Sequence, residues 1–442
     1  MIIEHDAAGY EYLGRLIYHN GFVGFLKTGP NREPLYPLLT AMSMFLGGKI
    51  SISYQAIQMF LQMFILFLTQ QLMLKILRKL YISNLLSALA ILYIGISPAI
   101  INSVFRLYSE IVTYPLMLAI VYLSFKSWQG IQNAQRDKIF RNACLLGITF
   151  FLITMVKGIF EAIAPIFLFI FFVYVAQSLK KNQKSFKPAV IFFLISSLTF
   201  IAPVTLYKYA NKKLNGNFVL TDRGGYALYG NTARRVEKLS SRQILTALSF
   251  AVSWRFCNAR FSADECGFWS FTQSDAIGMG KSQELSQTMS AQEANKTLIK
   301  LSLQKFFEKP PQYFLLMAIE SLKMLFWETP SMQYVFYPQP VIDVYTFKPL
   351  NRALYVVMPS LTFLSLAFTG FFLYCNRKKS LLHEETFPVL ITLSILTASY
   401  IFMYSFFLIL DRYSFPLVPL YLILIAFSFQ QIFSPARARP SS

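Results

Sequence analysis

Long apolar runs constrain this chain more than any other feature of its sequence. An α-helix needs roughly 20 apolar residues to cross about 30 Å of hydrocarbon, and in lipid an open sheet edge would leave backbone polar groups unpaired. The sequence therefore predicts an all-α polytopic membrane protein. The predicted spans lie near 55–77, 85–104, 111–127, 142–157, 160–179, 188–207, 353–375, 387–409 and 413–433.

The composition supports a membrane protein and argues against a nucleic-acid-binding one. Hydrophobic residues make up 55% of the 442 residues and charged residues only 14%, against about 25% in a typical soluble protein. The net charge of +20 is spread in short runs between apolar segments, so we expect no nucleic-acid partner. The four cysteines, Cys144, Cys257, Cys266 and Cys375, show no CxxC spacing, so no zinc or redox motif is visible.

Basic residues collect in the loops on one side of the predicted spans. The positive-inside rule places such loops in the cytoplasm. The opposite face, which we expect to be extracytoplasmic, then carries residues 1–54 and 208–352, and a bacterial inner membrane is the expected location. The basic residues of the cytoplasmic set are Lys75, Arg78, Lys79, Lys126, Arg136, Lys138, Arg141, Lys180, Lys181, Lys184, Lys187, Arg377, Lys378, Lys379, Arg437 and Arg439.

The span pattern divides the chain into five parts. We predict outer juxtamembrane helices in 1–54, a transmembrane bundle in 55–207, an extracytoplasmic region in 208–352, further transmembrane helices in 353–433, and a cytoplasmic tail in 434–442. Because the segment before the first predicted span must lie outside, and nothing in it would carry it across the membrane, we expect one more span upstream of residue 1.

The sequence leaves two structural questions about the predicted extracytoplasmic region undecided. The segment 311–329 is apolar but short and contains Glu320 and Lys323, so we interpret it as an interfacial helix. Cys257 and Cys266 both lie in this region, where an oxidising compartment permits, but does not require, a disulfide.

Two acidic residues mark the N-terminal segment. Asp6 opens a helical pattern that stops at Asn20-Gly21, and Glu33 stands before Pro34 at the start of a second short pattern. A simple interpretation is that Asp6 caps its helix and that Glu33 is an ordinary first-turn acid.

These motifs resemble a known family of enzymes. The order Asp6-x-x-x-Tyr10, Asn20-Gly21 and Arg32-Glu33-Pro34-Leu35-Tyr36-Pro37 is similar to the first outer loop of polyprenyl-phosphate-sugar glycosyltransferases of the GT-C class. This class includes the protein O-mannosyltransferase-like enzymes of glycosyltransferase family 39 and the aminoarabinose transferase of lipid A. Three later stretches resemble the family in the same order: Ser109-Glu110, Met155-Val156-Lys157-Gly158 with Pro165, and Arg412-Tyr413-x-x-Pro416-x-x-Pro419. One departure is that the family often has Lys directly after the Glu of the second helix, whereas here Arg32 precedes it.

The resemblance implies a GT-C-like helical bundle with an extracytoplasmic active site. It implies inverting transfer of a sugar from a polyprenyl-phosphate donor to a glycolipid, glycan or protein hydroxyl. Asp6 would be the catalytic base and Glu33 a further active-site acid. The leaving phosphate would need fixed cations, for which the candidates are Arg32, Lys157, Arg412 and Arg106. Glu110 and Tyr10 complete the candidate set.

Several alternatives stay open at this stage. The protein could instead be a lipid-linked glycan flippase or another transporter, or an O-antigen-ligase-like protein. Lys157 and Arg412 could be interfacial anchors. A divalent metal, for example on Glu4, His5 and Asp6, is a further alternative, although no cofactor motif is visible. The stretch Thr221–Tyr226 could contact a ligand through its glycines, and Tyr334, Phe336 and Tyr337 suggest an interfacial aromatic belt.

Overall fold

The computed structural model describes residues 1, 3–236, 239–327, 337–376, 386–407 and 409–433, and every regular element among them is helical. The all-α prediction is therefore confirmed. Short 3-10 helices cover Leu322–Leu325 and Asp411–Leu417. The α-helices are α1 (Asp6–Lys27), α2 (Leu35–Ile50), α3 (Tyr54–Lys79), α4 (Asn84–Ile96), α5 (Pro98–Val104), α6 (Glu110–Gln132), α7 (Arg136–Thr154), α8 (Phe160–Lys181), α9 (Lys187–Asn215), α10 (Gly224–Arg235), α11 (Ser241–Val252), α12 (Trp254–Asn258), α13 (Ala263–Phe268), α14 (Phe271–Ser286), α15 (Ala291–Glu308), α16 (Pro310–Ser321), α17 (Gln339–Thr346), α18 (Lys348–Asn376), α19 (Thr386–Ser405) and α20 (Val418–Phe433).

Seven helical segments of the described chain are long and apolar enough to cross a membrane. They are α3, α6, α8, α9, α18, α19 and the segment Arg412–Phe433, which contains α20. This segment forms the centre of the bundle, since 83% of its apolar window is buried, against 28% for α9. The outer helices expose large apolar side chains such as Phe60, Leu198 and Phe371, as expected of surfaces that face lipid. The protein is therefore a polytopic helical membrane protein.

Two predicted spans differ from the helices that form. The predicted span 85–104 is a pair of helices, α4 and α5, bent by 55°, because Ser97 is extended and Pro98 begins a new helix. The predicted span 142–157 corresponds to α7, which begins six residues earlier, within the charged run from Arg136 to Arg141, and is not among the seven candidates. Helix α7 nevertheless runs beside α6 and returns the chain to the end of the bundle at which α6 begins. The ion pair between Glu110, at the start of α6, and Lys157, just after α7, shows this.

The end of the bundle that carries the predicted cytoplasmic loops is held together by hydrogen bonds between helix ends. The amide of Ser83 donates to Gln430 Oε1 at 3.0 Å, and Lys184 Nζ donates to the carbonyl of Gln132 at 2.8 Å. The predicted basic residues at 377–379 and in the tail 434–442 lie outside the described residues.

The N-terminal helices α1 and α2 pack against each other at the opposite end. The predicted stop at Asn20-Gly21 is a break rather than an end: Gly21 has φ of 68° and ψ of 179°, and helix continues to Lys27. Glycine tolerates this conformation because it lacks a Cβ. The two helices approach closely at Gly14, where an added Cβ would lie 2.8 Å from Thr40 Cγ2.

The helices α10 to α16 form a cap over this end, and a disulfide joins Cys257 to Cys266 within it. The predicted interfacial segment contains α16, whose 12 residues span only about 18 Å and do not cross a membrane. Its charge does not lie at a surface, however. Glu320 is 1% exposed and pairs with Arg234 at 2.5 Å and with Arg235, while Lys323 Nζ lies 3.6 Å away. The cap therefore contains a buried ionic cluster that the sequence interpretation missed.

Candidate active site

A pocket of about 1350 Å³ opens where the cap meets the bundle. Its lining brings together residues from both ends of the chain, including every residue that the sequence analysis selected. These residues are Asp6, Tyr10, Arg32, Glu33, Arg106, Glu110, Lys157 and Arg412. The structure thus places the whole candidate set around one cavity, although it does not test the role of each residue.

Asp6 lies between two arginines. Its carboxylate is 2.5 Å from Arg32 Nη2 and also pairs with Arg412, 406 residues further along the chain. The interpretation of Asp6 as a helix cap is wrong, because His5 occupies the cap position and Asp6 is the first residue of α1. Burial disfavours its ionised form, but the charges of Arg412 and Arg32 outweigh burial and hold the pKa of Asp6 well below its usual range.

Glu33 joins the start of α2 to the connection between α7 and α8. Its Oε1 accepts a hydrogen bond of 2.6 Å from the amide of Gly158, and two residues later the amide of Leu35 donates to the carbonyl of Met155 at 3.0 Å. An added Cβ on Gly158 would lie 2.8 Å from Glu33 Oε1. A side chain at the position after Lys157 would therefore displace this carboxylate.

Lys157 and Glu110 form a second ion pair in the pocket wall. Their Nζ and Oε1 atoms lie 2.7 Å apart, and the side chains are 14% and 2% exposed. Burial by itself would lower the pKa of Lys157, but the charge of Glu110 outweighs it and raises that pKa above its usual value. Lys157 is therefore a fixed cation whose exposed fraction faces the cavity.

The arginines of the pocket lie against tyrosine rings, which fixes their planes. Arg32 Cζ is 4.5 Å from the centre of the Tyr10 ring, and Tyr10 in turn donates to Ser109 Oγ at 3.0 Å. Arg106 and Arg412 lie on the Tyr108 ring at 4.3 and 5.0 Å. Such stacking leaves the N–H groups at the guanidinium edges available to hydrogen-bond acceptors.

A buried glutamine supports the loop that carries Arg106, and the sequence analysis missed it. Gln62 in α3 donates through Nε2 to the carbonyls of Ser103, Val104 and Arg106 at 3.2, 2.7 and 2.8 Å. Gln58, one turn earlier, donates to Gln62 Oε1 at 2.8 Å. Two glutamines four residues apart in an apolar span were an available signal, because buried polar groups need partners.

The cap supplies the other wall of the pocket. Of the stretch that the sequence analysis weighed for ligand contact, Thr221, Arg223, Gly224 and Tyr226 line the cavity. Asp275, together with Phe271 and Thr272, comes from α14. No linear pattern in the sequence marked these three residues, because they reach the pocket only through the packing of α14 on α10.

Two other predicted features have limited support. The described residues contain no group of three His, Cys, Asp or Glu side chains that could hold a metal ion, so the Glu4, His5 and Asp6 alternative does not fit a metal site. Tyr334 and Phe336 of the predicted aromatic belt lie outside the described residues. Tyr337 donates to Asn102 Oδ1 at 2.6 Å, beside the pocket.

The arrangement of charges suits an anion that is bound next to a carboxylate. Arginine and lysine donors converge from four separate parts of the chain at the end of the bundle that lies opposite the basic loops. Preorganised cations of this kind stabilise negative charge that develops on a phosphate during a reaction. No family model matches this chain, and no curated protein sequence matches it either.

Proposed function

We propose that this protein is an inverting glycosyltransferase that moves a sugar from a polyprenyl-phosphate donor to an extracytoplasmic acceptor hydroxyl. One observation carries the proposal: Asp6, Arg32, Arg412 and Lys157 share a large pocket at one end of a helical membrane bundle. A lipid-linked donor would keep its tail in the bilayer and present its phosphate and sugar to this pocket.

The cations fit the leaving group of such a donor. Arg32 and Arg412 can each bind a phosphate through two parallel N–H groups, and Lys157 and Arg106 add fixed positive charge beside them. Because all four are already held by rings or by carboxylates, little reorganisation is needed when charge develops on the phosphate.

The reaction is a single displacement. The acceptor oxygen forms a bond to the anomeric carbon while the bond from that carbon to the phosphate oxygen breaks. The electron pair leaves on the polyprenyl phosphate, and the hydroxyl proton passes to the Asp6 carboxylate. The transition state resembles an oxocarbenium ion, and one displacement inverts the anomeric configuration.

The ion pairs of Asp6 make the basicity of its carboxylate depend on whether the donor is bound. In the empty pocket Arg32 and Arg412 stabilise the anionic form of Asp6 and make it a weak base. A donor phosphate competes for the same guanidinium groups. Because the phosphate shares these groups and adds negative charge beside Asp6, the pKa of Asp6 rises, so the carboxylate gains basicity when the donor is present.

The distribution of charge and cysteine supports an extracytoplasmic pocket, and the location that we propose for the protein is a bacterial inner membrane. The cap that covers the pocket contains the Cys257–Cys266 disulfide, which suits an oxidising compartment. A transporter would be expected to place charges at mid-span, whereas the seven candidate segments carry their charged residues toward the helix ends. That distribution favours surface chemistry over translocation.

The test uses the purified full-length protein in detergent with synthetic polyprenyl-phosphate hexoses and pentoses. We expect release of polyprenyl phosphate, abolished by Asp6→Asn and weakened by Glu33→Gln and Lys157→Ala. Glu284→Gln, an exposed carboxylate outside the pocket, is the matched control and should retain activity. Turnover by Asp6→Asn would reject its role as base, and absence of release from every donor would reject the transferase function.

A further inference from the structure

A second carboxylate faces the pocket from the cap. Asp275 lies one turn into α14 and is partly exposed to the cavity. Its pKa is raised above the usual value by burial, an effect to which the nearby charge of Asp6 adds and which Arg223 opposes. Asp275 and Asp6 both line this pocket.

Asp275 differs from Asp6 in its partners. Asp6 is held by two arginines, whereas no side chain among the described residues forms an ion pair with Asp275 within 4.0 Å. Its two oxygens, which can accept several hydrogen bonds, are thus available to a ligand.

Aromatic and hydroxyl groups surround Asp275. Tyr226 from α10 and Phe271 and Thr272 from α14 line the same wall. Tyr226 lines the same cavity as Arg32 of the cationic wall and Asp275 of the cap wall. Flat rings next to a carboxylate form a surface that suits a sugar, whose ring has an apolar C–H face and hydroxyls at its edge.

This wall is rigid. An added Cβ at Gly230 would lie 2.0 Å from the carbonyl oxygen of Ser274, and one at Gly278 would lie 2.1 Å from the carbonyl oxygen of Tyr226. Helices α10 and α14 therefore approach each other closely at two points, one at Tyr226 and one at Ser274, next to Asp275. Preorganisation of this kind lowers the entropic cost of binding a ligand.

We propose that the cap wall is the acceptor subsite and that the acceptor is a glycan, bound through a neutral sugar ring. Asp275 accepts hydrogen bonds from two of its hydroxyls, and Tyr226 and Phe271 cover its apolar face. The inference rests on the proposed transferase function, since it assigns the opposite, cationic wall to the donor. It adds a substrate class: Asp275 disfavours an anionic acceptor, and a serine or threonine side chain offers only one hydroxyl.

The experiment measures the two walls separately. Saturation-transfer NMR on the detergent-solubilised protein would follow the methyl glycosides of glucose, galactose, mannose and N-acetylglucosamine, with N-acetylserinamide as the peptide-like probe. Undecaprenyl phosphate binding, measured on the same samples, reports the donor wall. The variants are Asp275→Asn and Phe271→Ala, and Glu284→Gln on the exposed face of the same helix is the control.

We expect at least one glycoside to bind the wild type and the control, and to bind Asp275→Asn about tenfold more weakly, because a charged acceptor is lost. Phe271→Ala should weaken the same glycoside. Both variants should bind undecaprenyl phosphate normally, which also shows that they are folded.

Each other outcome has a defined meaning. Undecaprenyl phosphate binding without any glycoside binding would overturn the acceptor subsite and leave the transferase proposal intact. Preference for the serinamide, or undiminished binding of the glycoside by Asp275→Asn, would also overturn the acceptor subsite and leave the transferase proposal intact. Failure of the wild type to bind undecaprenyl phosphate would remove the donor assignment and this inference together.

Discussion

Glu320 offers a direct test of how the cap is held on the bundle. Its carboxylate is 1% exposed and pairs with Arg234 and Arg235, whose side chains are 2% and 0% exposed. Glu320→Gln keeps the shape of the side chain but removes its charge. Both guanidinium groups would then remain buried without their counter-ion.

The expected cost follows from this burial. Removal of one partner of a buried ion pair destabilises proteins by about 3–5 kcal/mol, because the remaining charge is left uncompensated. We therefore expect Glu320→Gln to lower the free energy of unfolding by about 3–5 kcal/mol. Replacement of an exposed surface pair has a far smaller effect, so Glu284→Gln is the matched control.

The cluster also reaches the pocket. Arg235 Nη1 donates to the carbonyl of Ser405 at 2.5 Å, and Asn231 Nδ2 donates to that of Phe407 at 2.6 Å. These carbonyls lie at the last residue of α19 and two residues after it, shortly before the segment that carries Arg412. Loss of Glu320 should therefore weaken undecaprenyl phosphate binding as well as stability.

The same group predicts how stability depends on pH. Burial opposes ionisation of Glu320, but Arg234, Arg235 and Lys323 outweigh it and hold its pKa well below the usual value of 4.5. The folded state thus binds the proton more weakly than the unfolded state. The contribution of Glu320 is fully present above pH 4.5 and is lost as the pH falls below it.

The assay is unfolding by SDS in mixed micelles, followed at neutral pH and again below pH 4.5 for the wild type, Glu320→Gln and Glu284→Gln. The wild type should lose stability on acidification, and Glu320→Gln should lose less. A Glu320→Gln protein within about 1 kcal/mol of the wild type at neutral pH would refute the reasoning, because an uncompensated buried charge costs more.

Three further predictions concern the pocket. Lys157→Ala should destabilise the fold by about 3–5 kcal/mol, because it leaves Glu110 buried without a partner. Unfolding by SDS measures this loss, and the double variant Lys157→Ala, Glu110→Gln should recover part of it. Gly158→Ala should displace the Glu33 carboxylate, whose oxygen would lie 2.8 Å from the new Cβ, and should lower the release of polyprenyl phosphate at unchanged expression; activity equal to the wild type would contradict the need for glycine. Gln62→Leu removes the side-chain donor to the carbonyls of Ser103, Val104 and Arg106, of which that of Arg106 keeps its bond from the Tyr108 amide. The change should weaken undecaprenyl phosphate binding, measured by titration, and binding equal to the wild type would show that other contacts hold the loop.

The membrane class and much of the candidate site could be predicted from the sequence. Seven apolar segments are long enough to cross the hydrocarbon layer of a membrane. This requirement is local, because each segment must form the hydrogen bonds of its own backbone within its own helix. The resemblance to a glycosyltransferase family implied that Asp6, Glu33 and Lys157 share one active site, and the structure brings them together around one pocket. Their chemical roles remain predictions.

The tertiary structure decided which charges meet. Nothing local connects Asp6 with Arg412 across 406 residues, makes Glu320 the buried partner of two arginines, or turns Asp275 toward the cavity. Whether a charged helix such as α7 joins the bundle also depends on neighbours far along the chain. The length of an apolar segment is a property of consecutive residues, so the sequence predicts it directly. Ion pairs depend on distances of a few ångströms between distant parts of the chain, and only the packing of the helices sets these distances.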